Sequence, residues 1–256
     1  MTMRIKSLGH ASFAAAMVGL GILGLVQGRS TPIWGGVPRG MPGRAALAYT
    51  CALVLLTTGS GLFWRRSAAV ASRVLLVYLL AWLLLLRLPL LFISFTVDTW
   101  WAAAQAAVVV AAAWVLYVWF AGEQDAARVG FATGERGLRI ARALYGLGLI
   151  PFGIAHFIYL ERTASLVPGW LPWHVGLSYF TGAAFIAAGV AVLTGVAARL
   201  AATLVALQVG LFTLLVWVPI ITATPQPSDW QEFIASIALT TVAWVVADSY
   251  RDGPWR

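Results

Sequence analysis

Windows of about twenty residues with almost no charged side chain recur along the whole chain, and no other feature narrows its fold so far. Twenty residues at about 1.5 Å each is the length a helix needs to cross a hydrocarbon core of roughly 30 Å. Inside that core each backbone N–H and C=O must find its partner within the spanning structure, which for runs of this length means helices. Composition points the same way. Apolar residues make up 61% of the 256 positions and charged residues 10%, where an average soluble chain carries roughly a quarter charged. The chain is expected to be an all-α integral membrane protein, with only short loops and ends in water and no separate soluble domain.

The apolar runs place eight transmembrane helices, at about 8–27, 45–63, 68–91, 100–120, 140–160, 175–195, 198–221 and 231–247. The first follows Arg4 and Lys6 and has the look of a secretory leader. No small-x-small cleavage pattern follows Leu25-Val26-Gln27, and the segment has a counterpart later in the chain, so it reads as a retained span. Residues 28–44 form a Gly- and Pro-rich connection. Residues 121–139, with Glu123, Asp125, Arg128, Glu135, Arg136 and Arg139, are the only long polar stretch and read as a cytoplasmic linker. The domain reading is 1–120, a linker at 121–139, and 140–256.

Two sets of four spans invite a search for a repeat. A shift of 130 residues carries Val37-Pro38 onto Val167-Pro168, Pro42 onto Pro172, Leu47 onto Leu177 and Tyr49 onto Tyr179. The same shift carries Gly59 onto Gly189, Pro89 onto Pro219, Trp100 onto Trp230 and Trp114-Val115 onto Trp244-Val245. A shift of 127 carries Gly19-Leu20-Gly21 onto Gly146-Leu147-Gly148. Alanine and leucine matches come cheaply in such a composition; proline and tryptophan matches in constant register do not. The chain reads as a tandem duplication of a four-helix unit. An even number of spans per unit makes the repeat parallel.

Orientation follows from the basic residues. With the amino terminus inside, the cytoplasmic side receives twelve Lys and Arg and the outside five: Arg29, Arg39, Arg44, Arg87 and Arg162. Both termini are then cytoplasmic, and the formal charge of +8 needs no nucleic-acid partner, since no basic run exceeds two residues. Trp34, Trp100, Trp101, Trp170, Trp173, Trp217 and Trp230 fall near the outer interface as an aromatic belt. The single Cys51 excludes an intrachain disulfide and autonomous thiol–disulfide chemistry. Three histidines, with His10 on the opposite side from the other two, exclude a three-histidine metal site. No Walker loop, dinucleotide fingerprint, HExxH or serine elbow stands in a supporting context.

Gly153-Ile-Ala-His156-Phe157, Val167-Pro168-Gly169-Trp170-Leu171-Pro172 and Tyr179-x-Thr181-Gly182 carry a resemblance over about residues 138–250. Gly189, the turn Ala197-Ala198-Arg199 and Pro219 extend it. This half resembles the DoxX-like family of four-helix bacterial membrane proteins, with the first half a diverged copy lacking the histidines. The resemblance implies a multi-pass protein of the bacterial plasma membrane. It also implies an association with respiratory or redox enzymes that use quinone as acceptor.

Polar chemistry concentrates in residues 153–174. The candidate ligand-binding residues are His156, Glu161, Trp170, Trp173 and His174, with Arg87 from the first half; no residue is assigned a catalytic role. His156 lies about one helical turn below the outer end of its span, where a polar side chain must pair, line a cavity or reach the interface. It reads as a hydrogen-bond donor to a quinone carbonyl or lipid headgroup, or as a proton carrier; the alternative is a histidine bonded to the loop. Arg87, two residues before Pro89, is free to bind an anionic headgroup, pair with Asp98, or snorkel. The expectation is an accessory or quinone- or lipid-binding component of a membrane redox system, partnered by the bilayer and a redox enzyme subunit. A small-solute or lipid transporter and a purely structural partner are the alternatives.

Overall fold

The computed structural model describes residues 6–28, 43–223 and 225–251. The Gly/Pro connection with Arg29, Trp34, Pro38, Arg39 and Pro42, and the two ends of the chain, lie outside the described residues. The remainder is helix and turn. The long helices are α1 (Leu8–Gln27), α2 (Arg44–Gly61), α3 (Ala68–Ile93), α4 (Val97–Phe120), α6 (Gly134–Ile158), α8 (His174–Thr194), α9 (Ala198–Ala223) and α10 (Pro227–Asp248). Short helices α5 (Glu123–Val129) and α7 (Leu160–Ser165) interrupt the series. Seven of these are long and apolar enough to cross a membrane. Arg44–Gly61 is not among the seven, because Arg44 and five hydroxyl side chains dilute its 18 residues.

Local chemistry sets the ends. Ser7 accepts the His10 N–H to start α1, and Gly28 ends it in the left-handed conformation at φ 59°. Thr96 and Thr99 close a capping box on α4, and the Asp229 carboxylate accepts the Gln226 N–H at α10. Pro89 and Pro219 do not end their helices. Each follows a π-helical turn, Leu83–Arg87 in α3 and Thr213–Trp217 in α9. A proline ring clashes with the carbonyl four residues back and leaves it without a donor; widening the preceding turn relieves both. The two π turns start 130 residues apart in the sequence.

The stretch 121–139 differs from the expected linker. Helix α5 and a 3-10 turn at Gly130–Ala132 occupy most of it, and α6 begins at Gly134, earlier than the apolar run alone places it. One of its charges is used, while Glu123, Arg128, Glu135, Arg136 and Arg139 are exposed. Asp125, 8% exposed, pairs with Arg73 of α3 at 2.9 Å and accepts the Gly122 N–H at 3.1 Å. Burial pushes this carboxyl up, but the Arg73 hydrogen bond, the Gly122 N–H and the Arg73 charge outweigh it and hold it below its ordinary value. Its contribution is therefore present above about pH 4 and lost as pH falls through the lowered folded-state value. Asp125→Asn is expected to flatten the acid limb of a thermal-unfolding series in detergent. At neutral pH it should cost about 1 kcal/mol, since Arg73 is half exposed.

The helices form one closed arrangement. Around its rim α1 packs on α2, α2 on α3, α3 on α4, α4 on α6, α6 on α8, α8 on α9, α9 on α10, and α10 back on α1; α4 and α10 also meet across the middle. Exchanging α1–α4 for α6, α8, α9 and α10 leaves this pattern unchanged. Every residue of α4 from 103 to 117 except Gln105 is buried, and most are Ala or Val, whose small size lets neighbours approach closely. Both seams between the halves are fastened by polar bonds. On one, the Gly9 N–H donates to Asp248 and the Gln27 side chain to the Pro227 carbonyl. On the other, the Trp114 indole donates to the Ala132 carbonyl at 2.9 Å.

The outward surface is apolar. On α9, Leu200, Leu204, Leu207, Leu211 and Leu214 are all at least 40% exposed, at alternating spacings of four and three that make one helix face. On α3, Val70, Val74, Val77 and Leu84 hold the equivalent positions and are exposed as well. A stripe of this kind is stable against lipid, not water.

Candidate functional site

His156 lies in the last turn of α6, inside the corner made by α6, α8 and α9. Its place there depends on glycine. A Cβ at Gly182 would come within 2.8 Å of the His156 Cβ, and one at Gly153 within 2.4 Å of the Gly182 carbonyl. The close crossing swings the imidazole between Phe185, at 5.4 Å between ring centroids, and Phe212, stacked at 6.5 Å. Nδ1–H donates to the Phe152 carbonyl at 2.7 Å. That bond fixes the tautomer: in the neutral ring Nε2 keeps its lone pair and is an acceptor. The expected role as a donor to a quinone carbonyl is thereby reversed for the neutral ring, which suits an O–H or N–H ligand group.

The N-terminal end of α4 and the C-terminal end of α6 hold a contact that sequence reasoning missed. The Tyr159 hydroxyl donates to Asp98 at 2.8 Å, and Trp101 stacks on Tyr159 and meets Phe152 edge-on. The carboxylate acceptor raises the Tyr159 phenol above its ordinary pKa. Asp98 is thus committed to α6 and does not pair with Arg87, as one sequence reading allowed. The available signal was weak: Asp98 sits in the first turn of its helix, where capping alone would account for it.

The other candidates do not gather around His156. Glu161, on α7, is exposed, and its neighbour Arg162 forms no ion pair with it; among the described residues the ion pairs are Arg73–Asp125 and Arg251–Asp248. Trp170 and Trp173 are 72% and 84% exposed, Trp173 in the left-handed conformation at φ 60° just before α8. A turn closed by the Leu171 N–H to the Pro168 carbonyl holds this loop. His174 begins α8 with a buried Nε2 that has no hydrogen-bond partner. Arg87 is in the other half, in the π turn of α3 that packs on α4. His156 and Arg87 therefore belong to different helix corners.

Space inside the protein is scarce. A void of about 10 Å³, about the size of one water, is walled by Tyr145, Leu149, Phe152, Phe185 and four aliphatic side chains of the second half with Val108 of α4. A groove of about 220 Å³ opens between α1, α9 and α10, lined by Ser12, Gly210, Thr213, Leu214, Ile237, Thr240, Thr241 and Trp244. Gly210 and Thr213 stand where the first half has the larger Leu80 and Leu83. No protein-family model, curated protein or solved structure matches this chain.

Proposed function

We propose that the protein is an eight-span tandem duplication of a DoxX-like four-helix unit, with both termini cytoplasmic, in a bacterial plasma membrane. Its role in this reading is that of an accessory component of a redox system, binding a quinol or another hydroxyl-bearing lipid. Support for the duplication comes from the π turns 130 residues apart, the matching exposed stripes on α3 and α9, and the exchange symmetry of the packing. The sealed Ala/Val packing of α4 favours binding at the periphery over passage through the middle.

One observation carries the ligand reading: a half-buried imidazole with Nδ1–H already committed, and Nε2 left as an acceptor in an aromatic corner near the outer end of α6. An acceptor there takes the hydroxyl proton of a quinol, and the flanking phenyl rings suit its flat ring. His156→Phe keeps the aromatic corner and removes Nε2. Titration of the purified protein with a short-chain quinol is expected to show about two- to tenfold weaker binding for the variant, the worth of one neutral hydrogen bond. Equal binding by both proteins sinks the assignment. Mass spectrometry of lipids carried through gentle solubilisation identifies the native ligand.

A further inference from the structure

Helices α1 and α9 both pack on α10 but not appreciably on each other, and the groove of about 220 Å³ lies in the gap. Ile237, Thr240, Thr241 and Trp244 form its floor on one face of α10, with Gly210, Thr213 and Leu214 of α9 on one side and Ser12 of α1 on the other. Its rim continues the lipid-facing surface, since Leu214, 62% exposed, is also the last residue of the leucine stripe on α9. The bond from the Gly9 N–H to Asp248 sets the start of α1 level with the end of α10. Ser12 and Trp244 each stand four residues from those ends, about 6 Å in, and Ile237 eleven residues, about 16 Å. The groove therefore runs about 10 Å from near one membrane face toward the middle, against roughly 15 Å of hydrocarbon in one leaflet.

The chemistry of the walls changes along that length. Ser12 donates to the Leu8 carbonyl at 2.8 Å, Thr213 to Val209 at 3.0 Å, Thr240 to Ser236 at 2.9 Å and Thr241 to Ala238 at 2.8 Å. Each hydroxyl proton is used on its own helix, so the deep walls offer methyl and methylene groups and suit hydrocarbon better than water. At the shallow end Trp244 is 37% exposed, and its indole N–H has no hydrogen-bond partner among the described residues. A free donor near the membrane face with carbon below it matches the ester carbonyl of a lipid with its chain running inward. The residues 130 positions earlier, at the other seam, fill their place with protein. Leu80 and Leu83 stand there for Gly210 and Thr213, Leu83 is 5% exposed, and Trp114 is 9% exposed with its indole on the Ala132 carbonyl.

We propose that the groove between α1, α9 and α10 holds one acyl chain of a phospholipid, whose ester carbonyl accepts the Trp244 N–H. The site is separate from the His156 corner and stands whether or not a quinol binds there. The test places the full-length protein in phosphatidylethanolamine vesicles with increasing fractions of a phosphatidylcholine that carries a photoactivatable group midway along one chain. Adducts are then mapped by mass spectrometry. In the wild type, adducts on Leu214 and Ile237 are expected to saturate at one per protein, while those on Val70, Val74 and Val77 of the exposed α3 stripe rise in proportion to the probe. A Cβ at Gly210 meets nothing nearer than Thr240 Cγ2 at 3.5 Å, so Gly210→Leu occupies the groove without forcing the helices apart. It should lower groove labelling at least about fivefold, the scale of a mild overpacking cost, and leave α3 labelling unchanged. Trp244→Phe, which keeps a ring and removes the N–H, should lower groove labelling about two- to threefold. Groove labelling that rises in proportion to the probe, or that Gly210→Leu leaves unchanged, overturns the site. A prenyl-tailed quinol that displaces the probe at lower concentration than unlabelled phospholipid overturns the acyl assignment in favour of a prenyl chain. A dimer in the vesicles that shields the groove from the probe overturns it in favour of a second copy. Should Gly210→Leu fail to fold, saturation in the wild type and the loss in Trp244→Phe decide the matter, and absence of either overturns the proposal.

Discussion

Replacing Gly153 by valine is expected to destabilise the protein by on the order of 3 kcal/mol or more, at the upper end of overpacking costs. Helices α6 and α8 cross through two reciprocal glycine contacts. A Cβ at Gly153 would lie 2.4 Å from the Gly182 carbonyl and 2.5 Å from Ile186, and a Cβ at Gly182 3.0 Å from the Gly153 carbonyl. One turn-pair away, Gly146 and Gly189 face each other's carbonyls at 2.9 and 2.7 Å. These contacts are with backbone, so no change of rotamer relieves them and the helices must part. Even Gly153→Ala puts a methyl against a carbonyl at that distance. The same displacement pulls His156 from Phe185, so quinol binding should fall with stability. Thermal unfolding in detergent reads the first effect; an unchanged midpoint for Gly153→Val means the crossing is looser than described. The first half offers the control. A Cβ at Gly59 would lie 2.9 Å from the Ala14 carbonyl and 2.8 Å from the Val18 nitrogen, the same kind of crossing as at Gly189. Under a duplicated architecture Gly59→Val and Gly189→Val should cost similar amounts; a large cost at one and none at the other counts against equivalence of the halves.

What the sequence made legible was whatever has a strong local cause. Apolar runs of bilayer length placed the long helices, with ends mostly within a few residues of those found. Pro89 and Pro219 each follow a π turn within a continuing helix, because a helix in lipid relieves the proline clash more cheaply than it abandons a turn. In the polar stretch 121–139 one residue escapes any local reading. Charge composition signals solvent exposure on average, yet Asp125 is buried by a partner 52 residues away that no local pattern announces. The site divides along the same line. His156 could be chosen from its type and depth; its tautomer could not, because it depends on a carbonyl in the preceding turn and on phenyl rings from two other helices. Arg87 and His156 look like partners on a linear reading, both polar and both near the outer surface. Three-dimensional packing puts them in separate corners, so they do not form one site.

Helices α4 and α10 explain why the two halves of the chain form one body. In a lone four-helix unit, α4 would present its Ala/Val surface to lipid on the side away from α3. Here α6 covers that side, and α1 does the same for α10. Small residues gain little by facing lipid and much by close helix contact, since association in a bilayer rests on packing and polar bonds, not on exclusion of water. The Asp248 carboxylate that receives the Gly9 N–H and the Trp114 indole that reaches Ala132 then fix the register of each seam.

The N-terminal end of α1 holds the residue expected to show the other large effect, His10. It is fully buried, 0% exposed. Its Nδ1 accepts the Lys6 N–H at 3.2 Å, which requires the proton on Nε2, and Nε2–H donates to the Leu62 carbonyl at 3.1 Å. Leu62 caps α2, and the imidazole meets Phe120 at the end of α4 edge-on at 5.2 Å. One side chain thus ties the beginning of α1 to the turn between α2 and α3 and to the close of α4. His10→Ala removes the ring from a closed site, opens a cavity and leaves the Leu62 carbonyl without that donor; the expected cost is about 2–5 kcal/mol, as for truncation of other large buried side chains. His10→Phe separates the terms. It refills the space but cannot donate, so it should recover the cavity part and still lose about 1–3 kcal/mol for the buried unsatisfied carbonyl. Unfolding midpoints of wild type, His10→Phe and His10→Ala falling in that order bear out the tie; a His10→Phe protein as stable as wild type would show that packing alone holds this end of the fold together.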